Sequence, residues 1–137
     1  MAEKIRTLIV DDEELARARL RSLLSREERI EIIGEASDGK AAVSEIEKLK
    51  PDLVFLDVQM PEMNGFEVLG ALEEETRPNV VFCTAHDKFA LKGFDVHAVD
   101  YLLKPFDRER FRTALQRAVA KVELQKGGKK DAAVGAV

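Results

Sequence analysis

Cysteine is almost absent from this chain: Cys83 stands alone, so no internal disulfide can form, and a reducing cytoplasmic setting is expected. No apolar run approaches the roughly 20 residues that a membrane helix needs. The opening Met1-Ala2-Glu3-Lys4 lacks the long apolar stretch of a secretory signal. No membrane association is expected. Surplus positive charge is missing too, since the formal net charge is −4, and direct nucleic-acid contact by this domain is not expected without a basic face. Arg17, Arg19 and Arg21 follow one another at two-residue spacing on a helical pattern, which predicts a solvated helix surface with the charges spread around it.

What is present is a chain of 137 residues, 45% hydrophobic and 35% charged, enough for one domain that buries a sheet between helical layers. Apolar runs alternate with helical patterns. The runs are Ile5 to Val10, Ile30 to Ala36, Leu53 to Leu56, Val80 to Cys83 and Tyr101 to Leu103. Continuous apolar runs predict strands covered on both faces. The second run is interrupted by Glu31 and Glu35, which predicts a place near a sheet edge. Helical faces are predicted around Ala16, Leu20, Leu23 and Leu24; around Ala42, Ile46 and Leu49; around Val68, Leu69 and Leu72; around Ala90, Leu91 and Phe94; and around Phe111, Leu115, Val119 and Val122. Pro51 and Pro78 end the second and third helices, and Asp38-Gly39 and Asn64-Gly65 mark turns into helices. Strand-helix alternation implies a parallel sheet in a doubly wound α/β domain. The domain is expected over residues 1–125, with 126–137 a flexible tail or truncated linker beginning Lys126-Gly127-Gly128.

Ligands of an open parallel sheet gather at the carboxyl ends of its strands. Strand one ends in Asp11-Asp12-Glu13, strand three in Asp57, strand four in Thr84 and strand five in Lys104-Pro105. Crowded carboxylates repel one another unless a cation intervenes, and oxygen ligands without His or Cys favour a hard ion such as Mg²⁺. A carboxylate is also a nucleophile toward phosphorus, with metal and lysine as counter-charge and a hydroxyl as hydrogen-bond donor. Each residue has a plainer role: the aspartate pair as a helix cap, Asp57 in a turn, Lys104 at the surface. Together those roles would be four coincidences at one edge of one sheet.

These residues resemble the receiver domain of bacterial two-component response regulators. The matching segments are Leu8 to Glu13, Asp52 to Gly65 (including Asp57-Val58-Gln59-Met60-Pro61), Val81 to Ala85, and Asp100 to Phe106, spanning about residues 4–124. The resemblance implies a CheY-like, flavodoxin-like (βα)5 fold with strand order 2-1-3-4-5. It implies Asp57 as phosphoacceptor, Asp12 and Asp57 as direct Mg²⁺ ligands with the Gln59 carbonyl, and Asp11 as a ligand through water; Mn²⁺ would serve as well. It implies Thr84 and Lys104 as the phosphoryl-binding pair, Tyr101 as an aromatic switch, a cis Lys104–Pro105 bond, and Gln59 and His86 as positions that tune phosphoryl lifetime. His97 is expected to be structural or exposed. A sensor histidine kinase would be the donor, and the chain would be no enzyme beyond its own phosphorylation and dephosphorylation. The expected output is a change in the face formed by helix four, strand five and helix five, leading to homodimerisation.

The stretch Lys92 to Phe106, with Asp11-Asp12-Glu13-Glu14-Leu15-Ala16-Arg17, further resembles receivers attached to a LytTR-type DNA-binding domain. That favours a truncated transcription regulator over a stand-alone receiver. Three other readings compete. A haloacid-dehalogenase-type phosphohydrolase would carry Asp-x-Asp after strand one, where this chain has adjacent aspartates. A flavodoxin-like cofactor carrier would need a phosphate loop in place of Asp11-Asp12-Glu13. A receiver that only scaffolds partners would not need the intact residue set.

Overall fold

The computed structural model describes residues 3–86 and 97–135, with side chains described through residue 127. Ile5–Val10 (β1), Ile30–Ala36 (β2), Leu53–Asp57 (β3), Asn79–Thr84 (β4) and Asp100–Leu103 (β5) form one sheet in the order β2-β1-β3-β4-β5. All its pairings are parallel. The central strands read as unbroken apolar runs because helices cover both faces. Successive side chains alternate between two cores. Ile9, Phe55, Val81, Cys83 and Leu102 pack against Glu14–Leu24 (α1) and the C-terminal helix Arg108–Gly135. Leu8, Val10, Val54, Leu56 and Phe82 pack on the other side, against Gly39–Leu49 (α2) and Gly65–Gly70 (α3). Each fully buried Leu or Phe contributes on the order of 1.5–3 kcal/mol. β2 lies at the sheet edge, which is why it tolerates Glu31 and Glu35.

The turn signals act as caps. Asp38 accepts the Ala41 amide at 2.8 Å and opens α2; α2 closes at Lys50, whose φ of 49° precedes Pro51. Asn64 and Glu67 exchange two 2.9 Å bonds in a capping box that opens α3. α3 is shorter than the periodicity predicts. It stops at Gly70, and Leu72 is buried beyond it, its amide bonded to the Leu69 carbonyl at 3.1 Å. Glycine's low helix propensity at position 70 makes that a natural stopping point.

The C-terminal helix is capped by Asp107, whose carboxylate accepts the Arg110 amide at 2.8 Å. It buries Phe111, Ala114, Leu115, Ala118 and Val122. Asp100, at the start of β5, accepts hydrogen bonds from Arg110 and Arg117 of this helix. Near residue 125 the helix is fastened to the opposite end of the sheet. Gln125 and Asn79 exchange bonds of 2.9 and 3.3 Å, and the Lys126 ammonium lies 3.6 Å from Asp52 and 3.5 Å from Glu3. The helix then runs through Gly127-Gly128 to Gly135, where composition suggests a flexible tail. Two glycines cost a helix only about 1 kcal/mol each, and the neighbouring Lys and Ala residues favour it. The predicted helix around Ala90, Leu91 and Phe94 lies outside the described residues. No helix among the described residues is long and apolar enough to cross a membrane.

Candidate functional site

The order of the sheet brings the ends of β1, β3, β4 and β5 side by side, so Asp11, Asp57, Thr84 and Lys104 share one edge. Asp11 is fully buried. Its Oδ1 accepts the Glu13 amide at 2.9 Å and its Oδ2 accepts the Lys104 ammonium at 2.8 Å. Helix α1 is therefore entered by a turn that Asp11 closes, and Glu13 at the cap position makes no side-chain capping bond. Asp57 is buried at 4% exposure, its Oδ1 accepting the Gln59 amide at 3.3 Å and lying 3.9 Å from the Lys104 nitrogen. Asp12 is exposed. One carboxylate oxygen from each of Asp11, Asp12 and Asp57 lies within 4.8 Å of the other two.

Such crowding is electrostatically costly. Burial, reinforced by the charges of Asp11 and Asp12, pushes the Asp57 carboxyl up to about 7, although Lys104 pulls the other way. Burial disfavours the Lys104 ammonium, but its hydrogen bond to Asp11 and the charges of Asp57 and Asp11 hold its pKa above the ordinary lysine value. An all-carboxylate donor set that resists carrying its full negative charge suits a hard divalent cation.

The backbone around Asp57 is tightly built. The Val58 amide bonds the Cys83 carbonyl at 3.3 Å, and the Gly65 amide bonds the Val58 carbonyl at 2.9 Å. A Cβ on Gly65 would stand 2.6 Å from the Asp57 carbonyl oxygen, so α3 can begin this close only with glycine there. Thr84 is fully buried, and its Oγ1 accepts the His86 amide at 3.3 Å. The carbonyl of the same His86 accepts the Tyr101 hydroxyl at 3.0 Å. The Tyr101 ring packs on the second core, 6.2 Å from that of Phe82. The Lys104 amide bonds the Thr84 carbonyl at 2.7 Å, and Lys104–Pro105 is cis. Gln59 is exposed beside Asp57, and His97 is exposed with a φ of 59°. Cys83 is buried, and burial raises its thiol pKa far above the ordinary value, so it is a core residue.

Arg19 and Arg21 are exposed and Arg17 is half-buried, as a solvated helix surface with spread charges predicts, yet each of the three has a specific partner. Arg17 and Arg21, four residues apart, lie on one face and both reach Glu35, at 3.5 and 2.6 Å. Arg17 also donates to the Asp11 carbonyl at 2.8 Å. Arg19 turns elsewhere and donates to the Phe106 carbonyl at 2.7 Å. Periodicity gave no signal for these roles; the one available hint was that positions 17 and 21 share a helix face.

Residues 7–116 match the family described as the response regulator receiver domain. The chain belongs to that family. This receiver is 50% identical over 113 residues to the transcriptional regulatory protein BtsR of Salmonella typhi, covering 82% of this chain and 47% of BtsR. The chain thus spans about half the length of the curated relatives it matches. Among solved structures, the receiver resembles the REC domain of the response regulator AraT from Geobacillus stearothermophilus. The TM-score is 0.80 at 29% identity, over 89% of this chain and 98% of that one. It also resembles a chain of the CheX–CheY–BeF3–Mg²⁺ complex from Borrelia burgdorferi. There the TM-score is 0.74 at 28% identity, over 86% of this chain and 89% of that one.

Proposed function

We propose that this receiver is a phosphorylation-controlled switch whose acceptor is Asp57. What carries the proposal is the grouping at one sheet edge: Asp57 between Asp11 and Asp12, with the Lys104 ammonium 2.8 Å from Asp11 and 3.9 Å from Asp57. Asp12, Asp57 and the Gln59 carbonyl would hold Mg²⁺ (or Mn²⁺) directly, and Asp11 through water. When bound, the cation supplies counter-charge to the phosphoryl oxygens.

The donor is a phosphohistidine on a sensor histidine kinase. An Asp57 carboxylate oxygen forms the new O–P bond as the N–P bond breaks. The electron pair stays with the imidazole nitrogen, and a solvent proton completes the neutral ring. Lys104 offsets the charge of the transferring group. The Thr84 hydroxyl hydrogen-bonds a phosphoryl oxygen, and Gln59 and His86 shape water access and so the lifetime of the acyl phosphate. The chain acts on nothing but itself, promoting its own phosphorylation and dephosphorylation.

Engagement of Thr84 alters its bond with the His86 amide, and the His86 carbonyl holds Tyr101. The changed face includes β5 and the C-terminal helix, and it promotes a homodimer. The output is transcription control in the cytoplasm, through a LytTR-type DNA-binding domain. The likeness to BtsR, a transcriptional regulatory protein, supports that output.

The test is mass spectrometry after treatment with acetyl phosphate and Mg²⁺, with one phosphoryl adduct expected on the Asp57 peptide. An Asp57→Asn protein that gains the same adduct at the same rate refutes the assignment. Size-exclusion chromatography with and without beryllofluoride and Mg²⁺ tests the dimer, and an unchanged mass counts against it.

A further inference from the structure

The lysine at the site sits on a segment with few internal ties. The Lys104 amide makes a sheet bond to Thr84, and Pro105 then has no amide hydrogen to give. The next fixed point along the backbone is Asp107, which caps the C-terminal helix. Between them stands Phe106. Its carbonyl accepts the Arg19 guanidinium at 2.7 Å, and the same guanidinium lies over its ring, 5.3 Å from the centroid. That ring also stacks on Phe111, at 6.3 Å and an interplanar angle of 19°, and Phe111 is locked in the core. Phe106 is thus clipped between a helix that follows directly from the acidic turn and a helix that follows directly from the lysine.

We infer that Arg19 is a positioning residue for the phosphoryl transfer proposed above, holding Lys104 between Asp11 and Asp57 through Phe106. The inference rests on that reading of Asp57. Arg19 touches neither the lysine nor the carboxylates. It acts on the backbone two residues beyond Lys104, where a small drift moves the ammonium out of line with both acids. Misplacement on the scale of 1 Å is enough to slow transfer measurably. The partner contact on the same helix, Arg17 to the Asp11 carbonyl, braces the acidic side of the site. One helix therefore sets the spacing between the acids and their counter-charge.

Acetyl phosphate is the right donor for the test. Arg19 and Phe106 also line a groove of about 400 Å³ beside the site, and a protein donor would confound docking with positioning. Arg19→Ala should lower the phosphorylation rate constant at saturating Mg²⁺ about three- to tenfold, the loss matching an exposed cation–π contact and one charged hydrogen bond. Mg²⁺ affinity should be undiminished, and Tm should stay within about 2 °C of the parent. Arg19→Lys should recover part of the rate, because it keeps a charged donor but not the planar stack. An Arg19→Ala protein that phosphorylates at the parent rate overturns the inference and leaves the acceptor assignment standing. A slower rate accompanied by weaker Mg²⁺ binding or a large drop in Tm also overturns it, since that is general damage to the acidic edge. If the parent protein itself takes no phosphoryl group on Asp57, the acceptor assignment fails, and the positioning role with it.

Discussion

The ammonium of Lys104 lies 2.8 Å from Oδ2 of Asp11 and 3.9 Å from Oδ1 of Asp57. Lys104 hydrogen-bonds the more deeply buried acid and acts on Asp57 through charge alone. The two aspartates therefore differ in kind: one is paired directly with the ammonium, while the other keeps an uncompensated electrostatic cost.

Removing the lysine should separate metal binding from transfer. With Asp11 released, Lys104→Ala is expected to bind Mg²⁺ more tightly than the parent protein by calorimetric titration. Its phosphorylation by acetyl phosphate should slow by about a hundredfold, the scale of losing one pre-placed counter-charge. A parent-like rate would show that the ammonium plays no part in the transfer.

Asp57 makes stability depend on pH. Its folded pKa is raised to about 7, well above the roughly 3.9 of an unfolded aspartate. Stability is thus fully present below about pH 4 and is lost as the unfolded chain ionises and pH rises through 7. In chelator, Asp57→Asn should unfold at higher urea than the parent at pH 8, by roughly 2 kcal/mol after allowance for relaxation, and the gap should shrink toward pH 5. Adding Mg²⁺ at pH 8 should stabilise the parent and leave Asp57→Asn nearly unchanged. Equal urea midpoints at pH 8 would contradict the burial argument.

Gly65→Ala sets two effects against each other. Alanine at a helix start gains up to about 1 kcal/mol in propensity. Its Cβ, however, would meet the Asp57 carbonyl oxygen at 2.6 Å, a backbone atom that cannot swing away. The clash should win, with a net loss of about 2–3 kcal/mol and a Tm several degrees lower by thermal melting. A Tm at or above the parent's would mean that α3 can retreat from Asp57 without cost.

Much of this fold was legible because a covered parallel sheet writes its strands as unbroken apolar runs; Leu53 to Leu56 and Val80 to Cys83 could be little else. Glu31 and Glu35 marked the edge strand by interrupting its run. The candidate site was legible because Asp11, Asp12, Asp57, Thr84 and Lys104 each end a strand, so strand prediction and ligand prediction were one step. The partners of the α1 arginines were not legible. Arg19 finds Phe106 across 87 positions, and a local pattern holds no information about such a partner. Nor did composition reveal that the last helix passes through Gly127-Gly128, since its anchoring by Asn79, Asp52 and Glu3 is tertiary.

That anchoring gives the domain two poles. β4 carries Thr84 at one end and Asn79 at the other, five residues apart along a strand that rises about 3.3 Å per residue. Asn79 grips Gln125 on the C-terminal helix. The Asp57 edge is therefore separated from that clasp by roughly 17 Å of close-packed sheet. Anything that senses Asp57 from the far pole does so mechanically, by feeling how a strand and a helix are seated, without touching the carboxylate.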